Sequence, residues 1–447
     1  MRDRPLTIAA SRTGGCLLFD RKALAALLFR QWRAPDVPAP RMSAPAGRLA
    51  PAHQRVFSTR MVRHQPSRRA PAPRADRFPV LLPVLLLAAA LAGCATRPGP
   101  ETLEPVARIS TRARSVTVLA VTDRALTATV PPAFGGGRGN PSFEQFTMQE
   151  VRPPADGRPV SIIAGDNDPS KDFITVGRHE LDRGTFEETI NRMQKAGADT
   201  IVVFVHGYNS SYQEAVFQLA RLSIDADARA VPILFSWPSQ ARITGYIADR
   251  DSTTYARDDL VQLLTMVGRS RSKQRVAVIG HSMGAWLVME ALRQLRLQGR
   301  NDIIARLQVG LAAPDIDVDV FRAQAAVVGR LSPPLTVLVS ADDRALAASS
   351  RLAGGKPRLG LARADDPVIQ DIARQGGMRI IDITTLPASD AFNHDRFITF
   401  AARYSAAARD GQLVGDVRQA GVYLLDTTGH ILSAPFNQTA EIIAGMP

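Results

Sequence analysis

Two cysteines in 447 residues are too few for a disulfide framework, and both, Cys16 and Cys94, lie outside the stretch that reads as folded. A thiolate metal site is excluded on the same ground. The seven histidines show no ligand spacing, so no metal and no organic cofactor is implied. Apolar runs of membrane-spanning length are missing too: residues 78–92 (FPVLLPVLLLAAALA) make 15 residues where a spanning helix needs roughly 20. A net charge of +13 first suggests a nucleic-acid or membrane-surface partner. Its distribution removes that suggestion. Residues 1–93 carry 16 Lys and Arg against 4 Asp and Glu, which leaves 39 against 38 over the remainder. The near-neutral body has no electrostatic footprint for nucleic acid. No internal repeat is visible.

What is present begins with a targeting segment. Residues 31–77 are rich in Arg, Ala and Pro without hydrophobic period and read as disordered. Arg74 and Arg77 then precede the apolar run 78–92, and small residues follow it, the layout of a secretory signal. Such a signal belongs at the start of a chain, so translation is expected to begin at Met42 or Met61 and residues 1–77 to be an extension. The run ends Leu91-Ala92-Gly93-Cys94, which resembles the lipobox of bacterial lipoproteins. That resemblance implies a signal over 78–94, acylation of Cys94, and an exported protein anchored to a membrane of the cell envelope and facing the periplasm. An ordinary signal peptide or an anchoring helix that happens to end in Cys is the alternative.

Beyond Cys94, residues 95–113 read as a polar linker, 114–410 as one catalytic domain and 411–447 as a C-terminal extension. Ser115–Thr122 (SVTVLAVT) has strand alternation, and the loop expected at Pro131–Asn140 rests on Gly135-Gly136-Gly137. Phe143–Val151 is a further strand candidate. A capping-box spacing at Thr185 and Glu188 predicts a helix to about Lys195. Short apolar strands are expected at 200–205, 231–236, 275–279, 307–312, 335–340 and 378–383. Helical patterns fill 211–225, 252–268 and 283–297, and VYLLDTTGHIL in the tail suggests a hairpin. Strands alternating with helices imply an α/β fold with a mostly parallel sheet covered on both faces.

In such a sheet, chemistry gathers at the carboxyl ends of the strands. The strand RVAVI runs directly into Gly280-His281-Ser282-Met283-Gly284, and a helix pattern starts at once. This is Gly-x-Ser-x-Gly in the strand–turn–helix context of a nucleophile elbow, and Ser282 is the candidate nucleophile. A serine hydroxyl needs a base and the base an orienting acid, in the chain order Ser, acid, His. Only His394 and His430 follow Ser282. His394 comes after the last core strand and is the preferred base, whereas His430 lies in the suspected hairpin turn. Asp343, Asp342 and Asp315 are the acid candidates, in that order, although an Asp at a helix start also serves as a cap. Backbone N–H groups of Met283 and of Tyr208, in the loop His206-Gly207-Tyr208-Asn209, are the expected oxyanion donors. Asn209 is a candidate to lock that loop, and His206 reads as structural rather than as a base.

Taken together, VFVHGYNSSY, FSWPS (235–239), VIGHSMGAWL, AAPDID and SADDRAL resemble a group of bacterial α/β-hydrolases of unassigned physiological role, esterase- or lipase-like and some of them lipoproteins. The likeness covers roughly 114–410. That group carries its acid in Ser-x-x-Asp-x-Ala-Leu, which here selects Asp343. Where its members often have Gly before the base, Asn393 precedes His394. The group's early Ala-Thr-Asp-Arg run corresponds to Ala120-Val121-Thr122-Asp123-Arg124, with one insertion.

The expected reaction is two-step acyl transfer through an acyl-enzyme on a small-molecule or lipid acyl substrate. A carboxylic ester is expected first. An amide or peptide would use the same residues, and a catalytically idle hydrolase fold serving as an interaction module is a different class of answer. Residues 239–256 are expected to line or cover the pocket.

Overall fold

The computed structural model describes residues 97–106, 113–129, 132–150, 173–226, 229–270, 276–402, 424–425 and 431–432. All of them belong to the second of two units into which the chain divides, Met1–Leu91 and Ala92–Pro447. The expected signal segment 78–94, with Cys94, and His430 lie outside the described residues. Among the described residues, no helix is long and apolar enough to cross a membrane.

The apolar runs become adjacent strands. In chain order the strands are β1 (Arg114–Leu126), β2 (Phe134–Glu150), β3 (Phe173–Leu181), β4 (Thr200–Val205), β5 (Ala230–Ser236), β6 (Val276–His281), β7 (Leu307–Ala312), β8 (Thr336–Val339), β9 (Arg379–Asp382), β10 (Leu424–Leu425) and β11 (Ile431–Leu432). They form one sheet in the order β11-β10-β9-β8-β7-β6-β4-β5-β1-β2-β3. The strands from β1 through β5, β4 and β6 to β9 pair in parallel, and the pairings at both ends are antiparallel. The helices are α1 (Arg183–Lys195), α2 (Tyr212–Ala226), α3 (Tyr246–Gly268), α4 (Met283–Leu297), α5 (Asn301–Ile304), α6 (Val318–Val328), α7 (Arg344–Leu352) and α8 (Pro367–Gly376). A further helix starts at residue 396.

Side chains alternate across a strand, so each central strand feeds two cores. Val203, Val205, Ile233, Phe235, Val276 and Val278 face one way, onto apolar residues of α1, α3, α4, α6 and α8. Phe204, Leu234, Ala312 and Leu338 face the other way, onto α2 and Phe397. Burial on both faces is why these strands read as continuous apolar runs.

The strand order explains where a site can form. From β4 the chain moves to β5 on one side, then crosses back past β4 to place β6 on its other side. The connections leaving β4 and β6 therefore diverge, and the carboxyl ends of these two neighbours are where a sheet of this topology places a site.

Three local expectations are corrected. Gly135-Gly136-Gly137 lies inside strand β2 rather than in a loop, because β1 and β2 form a long bulged hairpin whose backbones approach closely there; a Cβ at Gly139 would sit 2.9 Å from the carbonyl oxygen of Arg124. Helix α1 is capped by Asp182, whose Oδ1 accepts from the N–H of Thr185 at 2.7 Å, so the Thr185 capping box is not used. Helix α3 begins at Tyr246, six residues before the apolar period appears, because its first turns bury Tyr246, Asp249, Ser252 and Thr253 instead of aliphatic side chains. In the tail, Leu424 pairs with Leu432 as a hairpin and with Ile381 of β9.

Candidate active site

Ser282 stands between the last residue of β6 and the first of α4 with φ 54° and ψ −119°, a backbone region that L side chains rarely occupy. The turn is held by its neighbours. The Ser282 N–H donates to Ala312 O at 2.9 Å, and its carbonyl accepts from Ala285 N and from Asp315 N, each at 3.1 Å. The flanking glycines are required by contact. A Cβ at Gly284 would lie 2.4 Å from His206 O, and one at Gly280 would lie 2.7 Å from Ala285 Cα. Strain of this kind costs on the order of 1–3 kcal/mol and persists only where surrounding structure enforces it.

His394 reaches the same region from the far end of the sheet. Its ring centroid lies 4.7 Å from that of His281, the residue next to Ser282. Its Nδ1 is 2.6 Å from Asp343 Oδ2, and Asp343 is fully buried. The other oxygen, Oδ1, accepts from Leu346 N at 2.9 Å and caps α7. Asp343 therefore caps a helix and holds the imidazole at once. Burial works against a charged His394, but the hydrogen bond to Asp343 and the charges of Asp343, Asp390 and Asp315 outweigh it, so its pKa is raised.

The two rival carboxylates are committed elsewhere. Asp342 pairs with Arg396, Nη2 to Oδ2 at 3.0 Å, and accepts from Asn393 Nδ2 at 3.0 Å, which clamps the loop carrying His394. The hydrogen bonds and charge of Arg396 hold its pKa below the usual value. Asp315 is buried against Arg358 at 3.1 Å and accepts from Tyr246 Oη at 2.9 Å and Ser349 Oγ at 2.7 Å.

On the opposite side of Ser282 lies the loop after β4, where a Cβ at Gly207 would be 3.0 Å from the Cβ of Ser282. Met283 opens α4, and N–H groups of a first helical turn have no partner within the helix. Tyr208 follows Gly207, its hydroxyl donating to Arg242 O at 3.2 Å and to Ile243 O. Asn209 has φ 60° and its N–H donates to Asp249 Oδ2 at 3.2 Å, so this loop is fastened to the start of α3. His206 is fully buried, stacked on Trp237 at 4.9 Å, with Nε2 3.2 Å from Trp237 O. Burial, then the Arg124 charge, lowers its pKa to about 3, so it is a neutral structural ring.

Sequence reasoning missed the groups that organise these loops. Arg124, buried at the end of β1, donates to Ser236 Oγ, Ser239 O, Gly135 O and Ser210 O at 2.9–3.1 Å, and so joins the loops after β4 and β5 to the hairpin. Asp249 accepts from Ser239 Oγ at 2.6 Å and Gln240 N at 2.7 Å. The available signal was an Asp-Arg pair ending an otherwise apolar strand. Among the described residues, no group of three or more His, Cys, Asp or Glu is gathered to hold a metal ion.

A family described as "Alpha/beta hydrolase of unknown function (DUF900)" matches residues 182–410. The chain belongs to this family. The family match begins at the cap of α1 and takes in Ser282, Asp343 and His394; β1–β3 precede it in the same sheet. Uncharacterized protein alr1448 of Nostoc sp. (strain PCC 7120) is 26% identical over 136 residues, 24% of this chain and 35% of that protein; the chain thus spans about a third of that curated relative's length. Two solved structures are also similar. One, named as a cell surface hydrolase of Lactobacillus plantarum WCFS1, has 12% identity and a TM-score of 0.31, covering 50% of this chain and 96% of that one. The other, named as a hydrolase of Agrobacterium vitis S4, has 15% identity and a TM-score of 0.24, covering 57% and 97%.

Proposed function

We propose that this α/β-hydrolase is a serine carboxylic ester hydrolase of the cell envelope, working through an acyl-enzyme on Ser282. The observation that carries the reading is a strained elbow serine whose chain neighbour His281 lies 4.7 Å, ring to ring, from His394, itself held by buried Asp343 at 2.6 Å. Ser282 attacks the ester carbonyl while His394 takes its proton. Asp343 accepts from Nδ1 of His394, which leaves Nε2 as the basic nitrogen and stabilises the imidazolium that forms. The N–H groups of Met283 and Tyr208 receive the developing oxyanion. His394 then returns the proton to the leaving alcohol, and water cleaves the acyl-enzyme by the same steps in reverse. The lipobox at Leu91–Cys94 supports export, acylation of Cys94 and attachment to a membrane on its periplasmic side.

A fluorophosphonate probe on wild type and on Ser282→Ala tests the nucleophile. Labelling of wild type alone is the expected result. A folded wild-type protein that takes no label refutes the enzyme reading and points to an interaction module. Short p-nitrophenyl esters against the matching anilides then decide between ester and amide.

A further inference from the structure

We propose that the mouth of the Ser282 site is held against the membrane carrying an acylated Cys94, and that its substrates are acyl esters lodged in that membrane; this rests on the ester-hydrolase and Cys94 readings above. Arg97 lies only three residues beyond Cys94. Its guanidinium donates to the carbonyls of Asn209 and Ala241, and its Nε is 3.1 Å from Glu214 Oε1. The next residue is tied down as well, with Gln213 Nε2 donating to Pro98 O at 2.7 Å.

Those partners belong to the rim of the site. Asn209 follows Tyr208, and Ala241 precedes the segment whose carbonyls receive the Tyr208 hydroxyl. The chain is therefore fastened to the oxyanion loop immediately after the anchor. Three residues reach at most about 11 Å when fully extended. An acylated Cys94 at the headgroup level therefore keeps that rim within reach of the membrane surface.

The exposed side chains beside the clamp have the matching chemistry. Ile243 is 80% exposed and Ile247 is 78% exposed, four residues apart at the entry to α3. Scattered exposed apolar residues are ordinary; these two flank the turn that leads from the Arg97-bound Ala241 into α3. Arg242, Thr244 and Ala248 are the other exposed positions in 242–248, and the first exposed carboxylate beyond them is Asp251, one helical turn after Ile247. Asp249, the carboxylate of this turn, is buried on Ser239, Gln240 and Asn209. Apolar side chains flanked by arginine suit the interface of an anionic bilayer.

The test uses the full acylated protein in phosphatidylethanolamine–phosphatidylglycerol vesicles containing a fluorogenic long-chain ester, with soluble p-nitrophenyl butyrate in parallel. Inserting about twelve Gly and Ser residues between Thr96 and Arg97 keeps the clamp but adds roughly 20 Å of flexible tether. Hydrolysis of the embedded ester is expected to fall by about tenfold or more, and butyrate turnover to stay within about twofold. In the Cys94→Ser protein, sedimentation with the same vesicles is expected to be measurable and to disappear with Ile243→Ser and Ile247→Ser together. Undiminished hydrolysis of the embedded ester by the insertion variant overturns the proposal. So does a wild type that cleaves butyrate but not the embedded ester, and in that case the Ser282 reading stands. If wild type cleaves neither ester and takes no fluorophosphonate, both readings fall together.

Discussion

Asp123→Asn isolates one electrostatic cost built into the end of β1. The Asp123 side chain is fully buried, and neither carboxylate oxygen has a hydrogen-bond partner among the described residues. Burial, reinforced by the charge of Asp259 on α3, raises its pKa from 3.8 to about 7. The folded protein therefore keeps a proton that the unfolded chain has released. Stability is full below about pH 3.8, falls as pH rises toward 7, and levels off above it. Each pH unit inside that window is worth up to about 1.4 kcal/mol. Between pH 5 and pH 8 the wild type is expected to lose about 2.5 kcal/mol through this group alone. An amide of the same shape cannot titrate, so the stability difference between the Asp123→Asn variant and wild type should change by that amount across the interval. For a folded unit of roughly 300 residues, at about 2.1 cal/mol/K of unfolding entropy per residue, that corresponds to roughly 4 °C in Tm. Urea or thermal unfolding of both proteins at pH 5 and pH 8 measures it. Groups other than Asp123 cancel in the difference, as does any fixed cost of burying an amide. A difference that is the same at both pH values would refute the assignment of a protonated Asp123.

Further outcomes follow from the site. Asp343→Asn should lower kcat by about 10⁴-fold, because the amide no longer holds the required tautomer, whereas Asp342→Asn should cost less than about tenfold; ester hydrolysis by the two variants separates the acids. Since the base acts as neutral imidazole and the pKa of His394 is raised above 6.5, kcat/KM should fall on acidification with a midpoint above that value, and Asp343→Asn should move any residual midpoint downward. Gly284→Ala brings a methyl against the carbonyls of His206 and Val205 at 2.4 and 2.5 Å, so the elbow must distort; loss of activity together with a Tm drop of several degrees is expected, read by p-nitrophenyl ester assay and thermal unfolding.

Much of this protein is determined locally and is legible in its residues. Strands buried on both faces announce themselves as TIVVFV and VPILF, because little that is polar can be placed on either side. The elbow is equally local: Gly280, Ser282 and Gly284 are close in the chain, and their clashes arise within one turn and against the adjacent strand. Other features were decided only by tertiary structure. Asp315, Asp342 and Asp343 all follow strands and look alike in the sequence. What separates them is which cation or ring packing brings to each: Arg358 to Asp315, Arg396 to Asp342, His394 to Asp343. The Gly135–Gly137 run became strand because β1 lay alongside it. Arg124 joins loops that are distant in sequence, and Arg97 reaches Asn209 and Ala241 across more than a hundred residues. Backbone periodicity depends on near neighbours, whereas the partner of a buried charge is whatever the folded chain places beside it.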